Sequence, residues 1–185
     1  NIDYPSTRFT LDALADHIHP EIQAFSHSLS AQAKLHFVGF SMGGLMIRAY
    51  LTKHRPTQLG NVVMMGTPNQ GSEIADLLRP LSLYRWLYGP AGQQLITDQT
   101  AFAHLFGPVD YPLGVLAGNR SIAPLSSYVL GAENDGKVTV ERTKIEGMRD
   151  HHILPCNHTF FPVDKRAMIQ VSHFLRNATF ARIES

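Results

Sequence analysis

The residue with the clearest chemical potential is a serine held between glycines, in Gly-Phe-Ser-Met-Gly-Gly at residues 39–44. An apolar run precedes the segment and a helical pattern follows it, which predicts a sharp turn from strand to helix. Ser41 would project from the sheet as a nucleophile. The Met42 N–H, at the positive end of the helix, would face a developing oxyanion. The alternative interpretation is a glycine-rich turn with an idle serine.

A serine nucleophile needs a base, and His158 is the best placed of the downstream histidines. It follows the last predicted strand and precedes the final helix, so it lies in a loop at the sheet edge where Ser41 also leaves its strand. The other histidines fall within predicted helices or strands or within the region of short helical pieces (His54, His104, His151, His152, His173). A surface histidine beside a turn is the alternative for His158.

The carboxylate that orients the base is predicted to be Asp135, in Glu-Asn-Asp-Gly-Lys-Val. It lies between serine and histidine in the chain, and an Asp-Gly turn suits a loop that presents a carboxylate. Glu133 and Asp150 remain competitors, and Glu133 could replace Asp135 if the loop is set differently.

A metal site is the rival interpretation of the cluster formed by His151, His152, Cys156 and His158. Adjacent histidines in a strand point to opposite faces, so they do not easily ligate one ion. We therefore expect neither a metal nor a cofactor.

Short apolar strands alternate with helices along the chain, which predicts an α/β fold with a mostly parallel sheet covered by helices on both faces. Strands are expected at residues 34–40, 61–65, 113–117, 128–131 and 151–155. Helices are expected after Thr10, over residues 43–54 and after Asp164, the last with Met168, Val171, Phe174 and Leu175 facing inward. Residues 1–185 are most simply one domain, and residues 72–107 are a candidate helical cap within it.

Composition excludes some function classes. Sixteen basic residues face fifteen acidic ones, for a formal charge of +1, and no basic run marks a nucleic-acid interface. A single cysteine allows no internal disulfide. No apolar run reaches the length of a membrane span and no signal peptide is visible, which favours the cytoplasm.

Taken in order, Gly-Phe-Ser-Met-Gly-Gly, Gly-Thr-Pro-Asn-Gln-Gly-Ser, Asp-Gly-Lys-Val and Asn-His-Thr resemble the lipase-like α/β-hydrolases, bacterial lipases and esterases among them. The resemblance covers nearly the whole chain. It implies the α/β-hydrolase fold, with Ser41 as nucleophile, Asp135 as acid and His158 as base. Many relatives carry histidine where this chain has Asn69, a position outside the predicted triad.

The resemblance also implies segments that this sequence does not contain. Such hydrolases begin with a strand and a loop that supplies the second oxyanion N–H, then a strand whose tail would be residues 1–4. The missing strand would lie between that tail and the strand at 34–40, leaving unpaired edges. Either residues upstream are absent from this sequence, or an N-terminally truncated chain repairs its sheet in another way, which predicts a homo-oligomer.

The function predicted is a serine hydrolase that cleaves carboxylic esters through an acyl-enzyme, acting on a small ester or a lipid. Apolar side chains within residues 77–106 would suit an acyl chain or a lipid surface, or would simply pack the cap on the body. Lipase, carboxylesterase and thioesterase all remain open. The alternative is a weakly active or inactive hydrolase-fold protein that serves as a binding or assembly module.

Overall fold

The centre of the molecule is a parallel four-stranded sheet in the order β1-β2-β3-β4. The computed structural model describes residues 1–72, 89–92, 94, 105–122, 128 and 130–182, and all structural statements refer to these. The strands are β1 Leu35–Phe40, β2 Leu59–Met65, β3 Leu113–Gly118 and β4 Asp150–Leu154. The predicted α/β architecture is confirmed.

The α-helices whose bounds fall within the described residues are α1 Leu11–Ser28, α2 Met42–Lys53, α3 Val140–Thr143 and α4 Lys165–Asn177. Thr10 and Asp164 cap α1 and α4 as expected, each accepting a hydrogen bond from a backbone N–H of the first turn. A short 3-10 helix, Phe161–Val163, leads into α4. No described helix has both the length and the apolar character that a bilayer crossing requires.

Alternating side chains of the sheet supply two separate cores. Val62 and Met64 of β2 face α1 and α2, whereas Val63 between them packs with Leu116 and Phe174 on the α4 side. This period of two is what a strand buried on both faces requires. Because all four strands are parallel, their carboxyl ends lie along one edge of the sheet. Helices cover both faces of the sheet.

The outer side of β1 forms an open edge. Within the described part of the chain β1 pairs with β2 alone, and Val38 remains 45% exposed. A groove of about 510 Å³ runs along this side, with Tyr4, Phe25 and Gly43 among its lining residues. Residues 1–5 form no strand, so the expected strand ending at Tyr4 is not present in the sheet.

Two further sequence predictions are wrong. Tyr128 and Leu130 are helical, and β3 pairs directly with β4, so the expected strand at 128–131 does not lie between them. Met168 is 50% exposed, since the buried face of α4 runs instead through Ala167, Gln170 and Phe174. Most of the predicted cap, residues 72–107, lies outside the described residues.

Candidate active site

Ser41 joins β1 to α2 in a backbone conformation that few residues adopt. Its φ of 52° and ψ of −124° lie outside the favoured regions for an L-residue, a cost of about 1–3 kcal/mol that surrounding contacts must offset. Its N–H donates to the Met65 carbonyl at 2.8 Å. Although Ser41 occupies the N-cap position of α2, its hydroxyl does not cap the helix. The hydroxyl is therefore directed away from the backbone.

The glycines around Ser41 differ in what they contribute. A Cβ at Gly39 would lie 2.7 Å from the backbone of Gly43 and Gly44, because the first turn of α2 rests on the end of β1. A Cβ at Gly44 would lie 2.1 Å from Thr67 Oγ1. A Cβ at Gly43 would meet only the Tyr4 hydroxyl, at an ordinary 3.7 Å. The close approaches thus require glycine at positions 39 and 44.

His158 follows β4 in a tight turn, and the residue is buried, with 4% of its surface exposed. Its backbone N–H donates to the Asp135 carbonyl at 2.9 Å. The imidazole packs beside the Phe40 ring with centroids 4.9 Å apart. These contacts fix the ring so that Nε2 lies 2.9 Å from Ser41 Oγ.

Asp135 is 2% exposed and has a hydrogen bond on each carboxylate oxygen. Oδ1 accepts from the backbone N–H groups of Lys137 and Val138 at 2.9 and 2.8 Å. Oδ2 lies 2.7 Å from His158 Nδ1. The two backbone N–H donors hold Oδ1, which leaves Oδ2 as the acceptor on the Nδ1 side of the imidazole.

The three side chains form one hydrogen-bonded chain from Asp135 through His158 to Ser41. A carboxylate only accepts, so Nδ1 carries the proton and Nε2 is left as the acceptor for the serine hydroxyl. This tautomer is the one that a general base for Ser41 requires.

The competing acids lie elsewhere. Glu133 is exposed and accepts from Asn119 Nδ2 at 2.7 Å. Asp150 accepts from the Phe180 N–H at 2.7 Å and pairs with Arg182 at 2.5 Å, at the opposite end of β4. Neither carboxylate shares a hydrogen bond with His158 in the described part of the molecule.

The other histidines also have separate partners. His54 pairs with Asp16 at 2.6 Å on the surface. His151 contacts the Thr143 hydroxyl at 3.0 Å, while His152 lies near Gln170 and Arg182. His173 contacts the Thr179 carbonyl at 2.8 Å, and His104 lies outside the described residues.

A metal centre finds no support among the described residues, where no group of three or more His, Cys, Asp or Glu side chains could hold an ion. Cys156 is buried close to the acid, and burial raises the pKa of its thiol to about 12, with the negative charges of Asp164 and Asp135 adding to the effect. The thiol is therefore protonated at neutral pH.

Residues 66–72, the segment after β2 that we call the 66–72 loop, were not predicted to take part in the site. The Thr67 hydroxyl donates to the Ser41 carbonyl at 3.0 Å, and Gly66 lies against the Asp135–His158 pair. The sequence signal for this loop is Gly66-Thr67-Pro68, which directly follows β2. A motif in that position lies at the same edge of the sheet as the serine.

Arg48 of α2 anchors the 66–72 loop through Asn69. It is 9% exposed, and Nη1 donates to the Asn69 carbonyl at 3.0 Å, while the guanidinium lies 4.1 Å from the centre of the Phe106 ring. Burial lowers the pKa of Arg48 to about 10. On its other side, Asn69 Nδ2 donates to the Thr143 carbonyl at 2.8 Å. The loop is thus held at Asn69 from two directions.

Comparisons with solved structures show the same fold. The lipase BlEst2 of Bacillus licheniformis in its mature form matches with a TM-score of 0.66 and 20% identity, over 96% of this chain and 77% of that one. Its propeptide form matches with a TM-score of 0.66 and 22% identity, over 98% of this chain and 43% of that one. The metagenomic carboxyl esterase MGS0156 matches with a TM-score of 0.65 and 17% identity, over 83% and 52%.

This chain thus spans less than two thirds of the last two structures, and at these identities the likeness concerns the fold alone. No curated protein matches the chain. A family model described as alpha/beta hydrolase fold matches residues 2–117, which include Ser41, Thr67, the first two strands and β3 up to Ala117. The chain belongs to the family of proteins with the alpha/beta hydrolase fold.

Proposed function

We propose that this protein is a serine hydrolase that cleaves carboxylic esters through an acyl-enzyme. The observation that carries the proposal is the hydrogen-bonded chain in which Asp135 Oδ2 lies 2.7 Å from His158 Nδ1 and His158 Nε2 lies 2.9 Å from Ser41 Oγ. Membership of a hydrolase-fold family supports the same conclusion.

Ser41 is the nucleophile and His158 its general base. As Oγ attacks the ester carbonyl carbon, Nε2 takes the hydroxyl proton, and the imidazolium that forms is stabilised by the ionised Asp135. Collapse of the tetrahedral intermediate releases the alcohol, which receives the proton from His158. Water then gives up a proton to the same nitrogen and attacks the acyl-Ser41 ester, which releases the carboxylic acid and restores the hydroxyl.

The N-terminus of α2 stabilises the negative charge on the substrate oxygen. Ser41 precedes the helix, so the free N–H of Met42 lies at its positive end, and Met42 is the proposed oxyanion donor. Removing one such donor typically costs ~10²–10³ in rate, so the identity of a second donor strongly affects the turnover that we expect.

A small carboxylic ester or a lipid is the substrate class that fits this chemistry, because the mechanism needs an acyl group and no cofactor. Solved structures with the same fold are named as a lipase and a carboxyl esterase, and we propose the same class of substrate here. We propose that residues 1–185 act as one domain, with a cap over residues 72–107 that contacts the acyl chain or a lipid surface.

The test is covalent labelling of the purified protein with a fluorophosphonate probe, read by intact mass. Wild type is expected to gain one adduct, Ser41→Ala none, and His158→Ala an adduct formed at least ~10³-fold more slowly. p-Nitrophenyl esters of increasing acyl length would then define the substrate. A folded wild-type protein without any adduct would refute the proposal.

The second candidate is a binding or assembly module, and the open β1 edge favours it. Among the described residues β1 is paired on one side only, and its other edge beside a groove of about 510 Å³ is a surface on which an extended segment or a second copy of the chain could pair. Sedimentation of the same protein distinguishes the two candidates. An unlabelled but oligomeric protein would support assembly, whereas a labelled monomer would exclude it.

A further inference from the structure

The Gly66-Thr67 dipeptide of the 66–72 loop lies beside all three members of the proposed triad. A Cβ at Gly66 would lie 3.1 Å from Asp135 Oδ2 and 3.3 Å from His158 Nδ1, so the bare glycine backbone leaves room for that hydrogen bond. The φ of Gly66 is 55°, a conformation that favours glycine. Its N–H donates to the Leu116 carbonyl at 2.9 Å, which fixes the dipeptide to the sheet.

Thr67 holds the carbonyl of the strained serine. Its side chain is fully buried, at 0% exposure, and Oγ1 donates to the Ser41 carbonyl at 3.0 Å. The same carbonyl accepts from the Gly44 N–H at 3.1 Å. Together with the bond from the Ser41 N–H to Met65, these contacts restrain the Ser41 backbone on both sides of its Cα.

Covalent geometry links this hydrogen bond to the oxyanion site. The Ser41 carbonyl and the Met42 N–H belong to one peptide plane, and no described peptide bond is cis. In a trans peptide the C=O and N–H point in opposite directions. A hydroxyl that fixes the direction of the Ser41 carbonyl therefore also fixes the direction of the Met42 N–H.

We propose that Thr67 is a positioning residue for the reaction at Ser41, acting through the Ser41–Met42 peptide to aim the Met42 N–H at the oxyanion. The proposal deepens the proposed function and rests on it. Arg48 and Asn69 stabilise the loop that carries Thr67, so the hydroxyl is held in place before substrate arrives. Preorganised donors of this kind contribute to the transition state and little to ground-state binding.

The test compares Thr67→Val, which removes the hydroxyl at nearly constant volume, with Thr67→Ser, which keeps it. Thr52→Val serves as the control for hydroxyl loss elsewhere on α2, because it removes an exposed hydroxyl that donates to the Arg48 carbonyl and accepts from the Gly107 N–H, at the end of the helix away from Ser41. Each variant is assayed for kcat and KM on a short p-nitrophenyl ester and for affinity towards a trifluoromethyl ketone, an analogue of the tetrahedral intermediate.

For Thr67→Val we expect kcat to fall by about 10–100-fold with KM nearly unchanged, and affinity for the ketone to fall in parallel, because the donor is misdirected rather than removed. Thr67→Ser and Thr52→Val should stay within about threefold of wild type. A Thr67→Val enzyme with unchanged kcat would overturn the proposal. So would an equal loss in Thr67→Ser, since the hydroxyl would then not be the cause.

An amide NMR spectrum separates failure of this proposal from failure of the proposed function. The Met42 N–H signal is expected to shift in Thr67→Val and to return in Thr67→Ser, whether or not the protein turns over an ester. If wild type takes no fluorophosphonate adduct but the Met42 signal shifts as expected, the proposed function fails and the positioning of the peptide stands. An unshifted Met42 signal would refute the positioning role.

Discussion

Replacing Gly44 by alanine should disrupt the turn at Ser41, whereas the same change at Gly43 should be tolerated. The two glycines are adjacent in the first turn of α2, yet their surroundings differ. An added methyl at Gly44 would lie 2.1 Å from Thr67 Oγ1, short of the 3.4 Å lower bound of ordinary contact by about 1.3 Å. At Gly43 the nearest atom, the Tyr4 hydroxyl, would lie at 3.7 Å.

The expected change in the free energy of unfolding for each variant follows from three effects. Overpacking a buried site costs about 1–3 kcal/mol, and loss of the Thr67–Ser41 hydrogen bond adds about 1 kcal/mol. Alanine gains about 1 kcal/mol over glycine within a helix. The free energy of unfolding should therefore fall by about 1–3 kcal/mol in Gly44→Ala. In Gly43→Ala it should be unchanged or rise by up to about 1 kcal/mol.

Thermal unfolding and fluorophosphonate labelling measure the two consequences. For a chain of this size each kcal/mol shifts Tm by about 2–4 °C, so Gly44→Ala should melt roughly 2–12 °C below wild type and Gly43→Ala at or slightly above it. Displacement of Thr67 from the Ser41 carbonyl should also slow labelling of Gly44→Ala by at least about tenfold. If both variants melt and label alike, Thr67 moves aside freely and the steric argument is wrong.

Two further predictions concern the surroundings of His158. Asp135→Asn should lower kcat by ~10³–10⁴-fold, because the imidazole loses the carboxylate that sets its tautomer. Glu133→Gln removes an exposed carboxylate that is bonded to Asn119, so its kcat should stay within about twofold of wild type. Equal losses of kcat on one ester would contradict the assignment of Asp135 as the acid. Because burial raises the pKa of Cys156 to about 12, only ~10⁻⁴ of the thiol is ionised at pH 8. Reaction with an aromatic disulfide reagent should thus be ~10³ times slower in the native protein than in urea, and native reactivity within tenfold of the unfolded rate would show the thiol to be accessible.

The proposed nucleophile, acid and base could be predicted because each carries a local signal. Gly39 and Gly44 flank a serine between an apolar run and a helical pattern, Asp135 sits in an Asp-Gly turn, and His158 follows the last strand. Parallel strands bring their carboxyl ends to one edge, so chain order and strand ends were sufficient to bring these residues together. The bounds of the four strands were predicted to within about two residues because each strand is a short apolar run bounded by turn residues.

The supporting contacts could not be predicted because they depend on approach between distant segments. Thr67 and Ser41 are 26 positions apart, and nothing in Gly-Thr-Pro states which carbonyl the hydroxyl meets. Likewise the buried face of α4 is set by the returning chain, where the Gln170 side chain accepts from the Ala181 N–H at 2.8 Å. That contact makes Gln170 an inward residue and leaves Met168 exposed, against the apolar pattern.

The separation of Ser41 and His158 by 117 positions has a consequence for how the protein acquires reactivity during synthesis. The strands, the helix and the Thr67 hydroxyl that restrain the turn at Ser41 all lie within the first 67 residues. At about 5–20 residues per second, roughly 6–23 s pass between the addition of Ser41 and the addition of His158. In the proposed mechanism the serine thus lacks its base while the chain is incomplete, and rapid covalent labelling of Ser41 is expected only from molecules in which the last strand has joined the sheet.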